Sequence, residues 1–223
     1  MKRILEVCAD SLGSVRNAVE GGAGRIELCS ALSLDGLTPS AGLLQTVRQL
    51  YPELTIHVLI RPRQGNFVYD RQELMVMERD IRAAQPFADG FVIGVLTPDG
   101  DVDMVAMQCL MAACGDKPVT FHRAFDVCRE PFVALEQIVA LGCRRLLSSG
   151  QQRTAEQGML LLRQLHDLAD GRLIIMPGGG VSLENARQIM EQVGTSEIHG
   201  SCSGGSGMTD ADCVGQIIAS IQP

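Results

Sequence analysis

The chain has 223 residues, 46% of them hydrophobic, enough to bury a large core within one domain spanning 1–223. A net charge of -7, with six Phe, two Tyr and no Trp, excludes a protein that grips nucleic-acid backbone or stacks on bases. No stretch approaches the ~18 uninterrupted apolar residues of a membrane span, and Ile4-Leu5-Glu6-Val7 meets charge too soon for a secretory leader. The expected compartment is the cytoplasm. There the cysteines at 8, 29, 109, 114, 128, 143, 202 and 213 stay reduced, and their scattered spacing lacks the CxxC pairs of a zinc module.

In chain order, Ile4 to Ala9 reads as a strand, Ser11 caps a helix running to about Glu20, and a glycine-rich break leads to a strand from Arg25 to Ser30. Thr38-Pro39-Ser40 opens a helix with Leu43, Leu44, Val47 and Leu50 at helical spacing. The third strand, Thr55 to Ile60, runs into Arg61-Pro62-Arg63-Gln64-Gly65-Asn66 and a helix carrying Leu74, Met75, Met77, Ile81 and Ala84. Strand Gly90 to Leu96 ends at the turn Thr97-Pro98-Asp99-Gly100, and a Met-rich helix from Asp103 to Cys114 follows.

The next strand carries the densest chemistry of the chain, Pro118-Val119-Thr120-Phe121-His122-Arg123-Ala124-Phe125-Asp126. A structural strand has no need to end on an imidazole, a guanidinium and a carboxylate; at the carboxyl end of a central parallel strand they mark a site. Helix Pro131 to Leu141, strand Arg144 to Ser149, helix Thr154 to Leu168 and strand Arg172 to Met176 continue the alternation. Pro177-Gly178-Gly179-Gly180, helix Leu183 to Val193, strand Glu197 to Gly200, a Gly/Ser loop to Gly207 and a helix from Asp210 complete it.

Eight strands alternating with eight helices, every roughly 22 to 35 residues, predict a (β/α)8 TIM barrel with a closed parallel sheet. A doubly wound sheet would carry GxGxxG after its first strand, where this chain has Cys8-Ala9-Asp10-Ser11. Three ungapped segments, 22–29, 142–149 and 194–201, each read as a helix end, a glycine break and a strand. Period two then puts Glu27 with Cys29, Leu147 with Ser149, and His199 with Ser201 on the axis side, and turns Ile26, Leu28, Leu146 and Ile198 toward the helices.

Glu6-Val7-Cys8 repeats Glu27-Leu28-Cys29, so adjacent strands about 4.8 Å apart are expected to pair carboxylate with carboxylate and thiol with thiol. Paired thiols form a soft site suited to Cu(I). Paired carboxylates with His57, His122 or His199 suit a divalent metal or proton transfer, and the residue types alone leave both open.

The blocks Arg61 to Tyr69, Thr120 to Asp126, Ser148 to Gln151 and Ile175 to Gly180, in this order and spacing, resemble the CutC copper homeostasis family. The resemblance runs from Glu6 to about Cys202. It implies a cytoplasmic TIM barrel that forms homo-oligomers, is associated with copper tolerance, and binds Cu(I) through strand-end cysteines that correspond to Cys8 and Cys29. One departure stands out: where the family pattern is RPRGGDF, this chain carries Gln64 and Asn66, losing a glycine and a carboxylate from that loop.

A second reading is an enzyme acting on a small phosphorylated or carboxylated substrate. Gly178, Gly179, Gly180 and the Gly200–Gly207 loop lie where TIM barrels receive phosphate, and Arg61, Arg63 and Arg123 add charge-assisted bonds, with Ser149, His199 and Ser201 nearby. Glu6 or Glu27 is then the base and His122 the acid, with Arg123 and Asp126 beside it. Plainer roles compete: core thiols at Cys8 and Cys29, a salt bridge between Arg123 and Asp126, and ion pairs from Glu6 and Glu27 to Arg61, Arg63 or Arg123. His166 reads as a surface residue, and Met75, Met77, Met104, Met107 and Met111 as core packing.

Overall fold

Polar caps punctuate the chain at the helix starts. Ser11 Oγ accepts from the Ser14 amide, Ser40 Oγ from Leu43, Asp103 from Ala106 and Asp210 from Cys213, while Asp70 and Glu73 form a capping box. The computed structural model describes residues 3–203 and 207–222. In order these form β1 (Ile4–Ala9), α1 (Leu12–Glu20), β2 (Arg25–Leu28), α2 (Ala41–Leu50), β3 (Thr55–Leu59), α3 (Arg71–Ala84), β4 (Gly90–Ile93) and α4 (Met104–Cys114). There follow β5 (Val119–Phe121), α5 (Pro131–Ala140), β6 (Arg145–Ser148), α6 (Met159–Ala169), β7 (Ile174–Pro177), α7 (Ala186–Val193), β8 (Glu197–Gly200) and α8 (Ala211–Ile221).

The strands are parallel in the order β7-β6-β5-β4-β3-β2-β1-β8, and a parallel bridge between Gly178 and His199 joins the two ends. The result is a closed (β/α)8 TIM barrel. Ile26, Leu28, Leu146 and Ile198 are fully buried in the layer between sheet and helices, so the axis-side set follows the expected alternation.

Several boundaries differ from the sequence reading: β2 ends at Leu28, β4 at Ile93 and β7 begins at Ile174, and three connections take another form. The segment after Phe121 is a 3-10 turn, Arg123–Val127, capped by His122, whose Nδ1 accepts the Ala124 amide. Helix α6 begins at Met159, not Thr154, because the loop before it folds back onto the end of β6. There a Cβ on Gly158 would sit 1.9 Å from the Ser149 carbonyl oxygen, and the Ala155 amide donates to Gly179 O. Helix α7 starts at Ala186 after a turn in which Asn185 Oδ1 accepts the Ser182 amide. Of the glycine-rich loop before α8, residues 204–206 lie outside the described residues.

The register also corrects an expectation. Cys8 stands opposite Glu27, and Glu6 opposite Arg25, so the two carboxylates do not face each other. Strand stagger in a closed barrel displaces neighbours along the axis, and the offset gives Glu6 a cation where the expected pairing would have given it a second anion. Glycines at the start of β4 and just past its end make the complementary space. A Cβ on Gly90 would lie 2.6 Å from His57 Cδ2 and 2.8 Å from Pro118 O, and one on Gly94 would lie 2.5 Å from the His122 ring. The substitution Gly90→Ala is therefore expected to cost about 1–3 kcal/mol by overpacking. Urea unfolding measures it, and a midpoint equal to wild type contradicts this account of β4.

Candidate functional site

The amino-terminal end of the barrel interior is closed by an ion network. Arg145 forks onto Glu197, with Nε 2.6 Å from Oε2 and an NH2 bond of 3.2 Å to Oε1. Arg25 also pairs with Glu197, and its Nε lies 2.7 Å from Glu6 Oε2, an ion pair whose angle falls short of a hydrogen bond. Glu6, fully buried, meets two imidazoles as well: His57 Nδ1 at 3.0 Å and His199 Nδ1 at 3.1 Å. Burial alone would raise its pKa, but Arg25 and the two imidazoles outweigh burial and hold the carboxyl well below the usual range. The partner of Glu6 is thus Arg25; among the described residues Arg61 and Arg63 make no ion pair to Glu6 or Glu27, and Arg123 pairs with Asp126.

Above this layer Cys8, Glu27 and His199 converge. One ligand atom from each lies within 4.8 Å of the others, and Cys8 Sγ is 3.7 Å from Cys29 Sγ and 3.6 Å from Glu27 Oε1. The thiols therefore meet on a diagonal although their strands are offset. Contact with Cys29 and burial push the Cys8 thiol well above its ordinary value, as does the neighbouring Glu27. Burial raises the Glu27 pKa, and its Oε2 has no hydrogen-bond partner. Burial disfavours a charged His199, but Glu27, Cys8 and Glu6 prevail and raise its pKa well above the usual imidazole value.

This floor opens into a cavity of about 500 Å³ at the carboxyl end of the strands. Cys8, Glu27, Arg61, His122, Arg123, Asp126, Gly179, Gly180, His199 and Ser201 line it. Glu6, Cys29, Arg63, Ser149 and Gly178 do not. Cys29, fully buried, lies behind Cys8 and donates to Ala9 O; Gly178 forms the bridge that closes the sheet. Arg63 pairs with Glu73, donates to Val68 O and lies over the Tyr69 ring, bracing its own loop.

The residues at the end of β5 divide into two groups. Asp126 is saturated: it accepts from Ser148 Oγ at 2.6 Å, from the Ser149 and Gln151 amides, and from Arg123 Nε at 2.8 Å. Ser149 Oγ donates to Gln152 O at 2.6 Å and receives Arg123 at 3.0 Å. His122 is different. With Nδ1 accepting a backbone amide, its proton sits on Nε2, which has no partner. Burial and then Arg61 lower its pKa to about 3, so the ring is neutral and presents Nε2–H as a hydrogen-bond donor.

Sequence reasoning missed Arg25, Arg145 and Glu197, although Arg25 shares the period-two face of Glu27 and Glu197 that of His199. It also missed Phe67, whose ring lies between Arg61 (5.0 Å) and His122 (5.0 Å). Met77 and Met107 are fully buried as expected, whereas Met75 is exposed on α3.

A model described as the CutC family matches residues 3–204. The chain belongs to the CutC family. A copper homeostasis protein cutC homolog from Mus musculus is 48% identical over 197 residues, covering 88% of this chain and 72% of the relative. A CutC family protein from Parabacteroides distasonis is 47% identical over 202 residues, covering 90% and 83%. The crystal structure of CutC from Streptococcus agalactiae superposes with a TM-score of 0.85 at 34% identity, covering 89% of this chain and 98% of that one. Thiamine phosphate pyrophosphorylase from Pyrococcus furiosus, with a TM-score of 0.65 at 18% identity over 99% of this chain and 97% of its own, shares the barrel alone.

Because Glu6 titrates below its unfolded value, the stability it contributes is in full force above a pH of about 4.3 and is lost as pH falls through the lower folded value. Glu6→Gln is expected to be about 3–5 kcal/mol less stable at neutral pH, since it removes the carboxylate that Arg25 shares with Glu197 and that faces both His57 and His199. Denaturant titrations across the acid range should show that deficit narrowing below a pH of about 4. A deficit independent of pH would assign the loss to packing.

Proposed function

We propose that this CutC-family protein handles copper by holding Cu(I) between Cys8 and Cys29, with His199 alongside. The observation that carries the reading is the 3.7 Å approach of two buried thiols next to an imidazole in a single inward-facing cluster. Thiolate is a soft donor that suits Cu(I) and imidazole a borderline one that suits copper, whereas Glu27 is a hard oxygen donor better placed to receive a thiol proton than to ligate. The support of His199 fits as well. A ligating imidazole turns its second nitrogen to a carboxylate, and His199 Nδ1 faces Glu6 at 3.1 Å, leaving Nε2 for the thiol side.

Burial and the Cys29 contact keep the Cys8 thiol protonated at rest, and Cu(I) takes the thiolate, so binding releases a proton. A pair of thiols this close keeps its metal affinity only in a reducing compartment, which agrees with a cytoplasmic protein. Anaerobic titration of the reduced protein with Cu(I) against a competing chelator tests the site. One ion is expected to bind, with affinity that rises with pH, and to be lost in the Cys8→Ser, Cys29→Ser double variant while its thermal transition persists. Equal binding by both proteins removes the thiols from the site. Glu6→Gln, which releases the far side of His199, is expected to weaken Cu(I) binding about 10–100-fold.

A further inference from the structure

The copper site uses only the floor of the cavity, and a single ion needs a small part of about 500 Å³, a volume in the range of small-molecule pockets. The wall formed by the ends of β3 and β5 carries an electrostatic imbalance. Arg61, only 4% exposed, donates to the carbonyls of Leu34, Asp35, Gly36 and Gly65 and lies against the Phe67 ring. None of these partners is an anion. No carboxylate among the described residues lies within ion-pair reach of Arg61, and its Nε has no partner. A buried guanidinium facing only neutral dipoles lacks the counter-charge that such groups ordinarily have.

Beside it His122, 4% exposed and neutral, carries an Nε2–H with no acceptor. Arg123 completes the wall: Nε and one NH2 contact are taken by Asp126 and Ser149, while its NH1 lies toward Gly179, where an added Cβ would come within 3.4 Å of it. Two carboxylates also line the cavity on this side. Asp126 is spent on Ser148, Ser149, Gln151 and Arg123, and Asp35 is exposed at the rim. Across the cavity, Glu27 offers an unpartnered Oε2. The wall therefore has donors without acceptors, and the opposite side has an acceptor without a donor.

We propose that the mouth cavity binds a small organic oxyanion, a carboxylate or a phosphate monoester, seated on the Arg61–His122–Arg123 wall with a ligand hydroxyl directed at Glu27. The anion supplies the counter-charge to Arg61, accepts from His122 Nε2–H, and is reached by Arg123 from the rim. The site goes beyond the copper reading and does not rest on it, since the thiols take no part in holding the anion.

The test is calorimetric titration of the reduced, metal-free full chain at constant ionic strength with glycerate, glycerol 3-phosphate and glycerol. Saturable binding of either anion, with none by glycerol, is the expected result, and the stronger of the two fixes the oxyanion class. His122→Gln and Arg123→Gln should each weaken that binding about tenfold or more, the worth of a charge-assisted bond. Arg82→Gln, which removes an exposed ion pair to Glu78 on α3 away from the cavity, should leave it unchanged. Arg123 is half-exposed, so its variant keeps the test decisive if His122→Gln fails to fold. Absence of binding by both anions, equal binding of glycerol, or indifference to Arg123→Gln overturns the proposal. The Cys29→Ser variant, whose side chain does not line the cavity, should bind the anion as wild type does, so failure of the copper site and failure of the anion site are read in different proteins.

Discussion

The structure of the barrel interior depends on one buried carboxylate. Glu6 has no access to solvent, and its negative charge is sustained by Arg25 at 2.7 Å with His57 and His199 at 3.0 and 3.1 Å. Removing a charge from water is costly unless such partners replace the solvent. The same contacts orient His199 toward Cys8 and Glu27, and the Arg25–Glu197–Arg145 chain anchors them to the amino-terminal end. An ion network that fills the axis thus also sets the floor of the cavity.

The cavity above that floor is polarised from one side to the other. Groups with raised proton affinity, Cys8, Glu27 and His199, gather where β1, β2 and β8 adjoin. A neutral imidazole and two guanidiniums gather at the ends of β3 and β5. The soft sulfur donors and the cationic hydrogen-bond donors therefore occupy different parts of the same opening.

The fold was legible because most strands end at a glycine or polar break and most helices carry an apolar stripe, as with Ser40 before Leu43, Leu44 and Val47. Which side chains point to the axis was legible too, from period two alone. Strand stagger was not: nothing in Glu6-Val7-Cys8 and Glu27-Leu28-Cys29 says that Cys8 stands opposite Glu27. Nor does a motif reveal how its donors are spent. Arg63 and Asp126 sit in conspicuous blocks yet are consumed locally, while Arg25 sits in no motif and holds the central charge. Partner choice is a tertiary property, and the sequence carries it only as a shared face.

Cys8 and Glu6 lie on the first strand and His199 on the last, joined across the β1–β8 seam. Chains emerge from the ribosome amino terminus first. The two thiols, on β1 and just past the end of β2, are thus synthesised together and early, while the imidazole beside them arrives only after seven strands have been made. A nascent chain holds a thiol pair and an acidic group with no cationic partner from β8, and the complete donor set exists only once the sheet has closed on itself. The assembled cluster is in this way present only when synthesis and closure are finished.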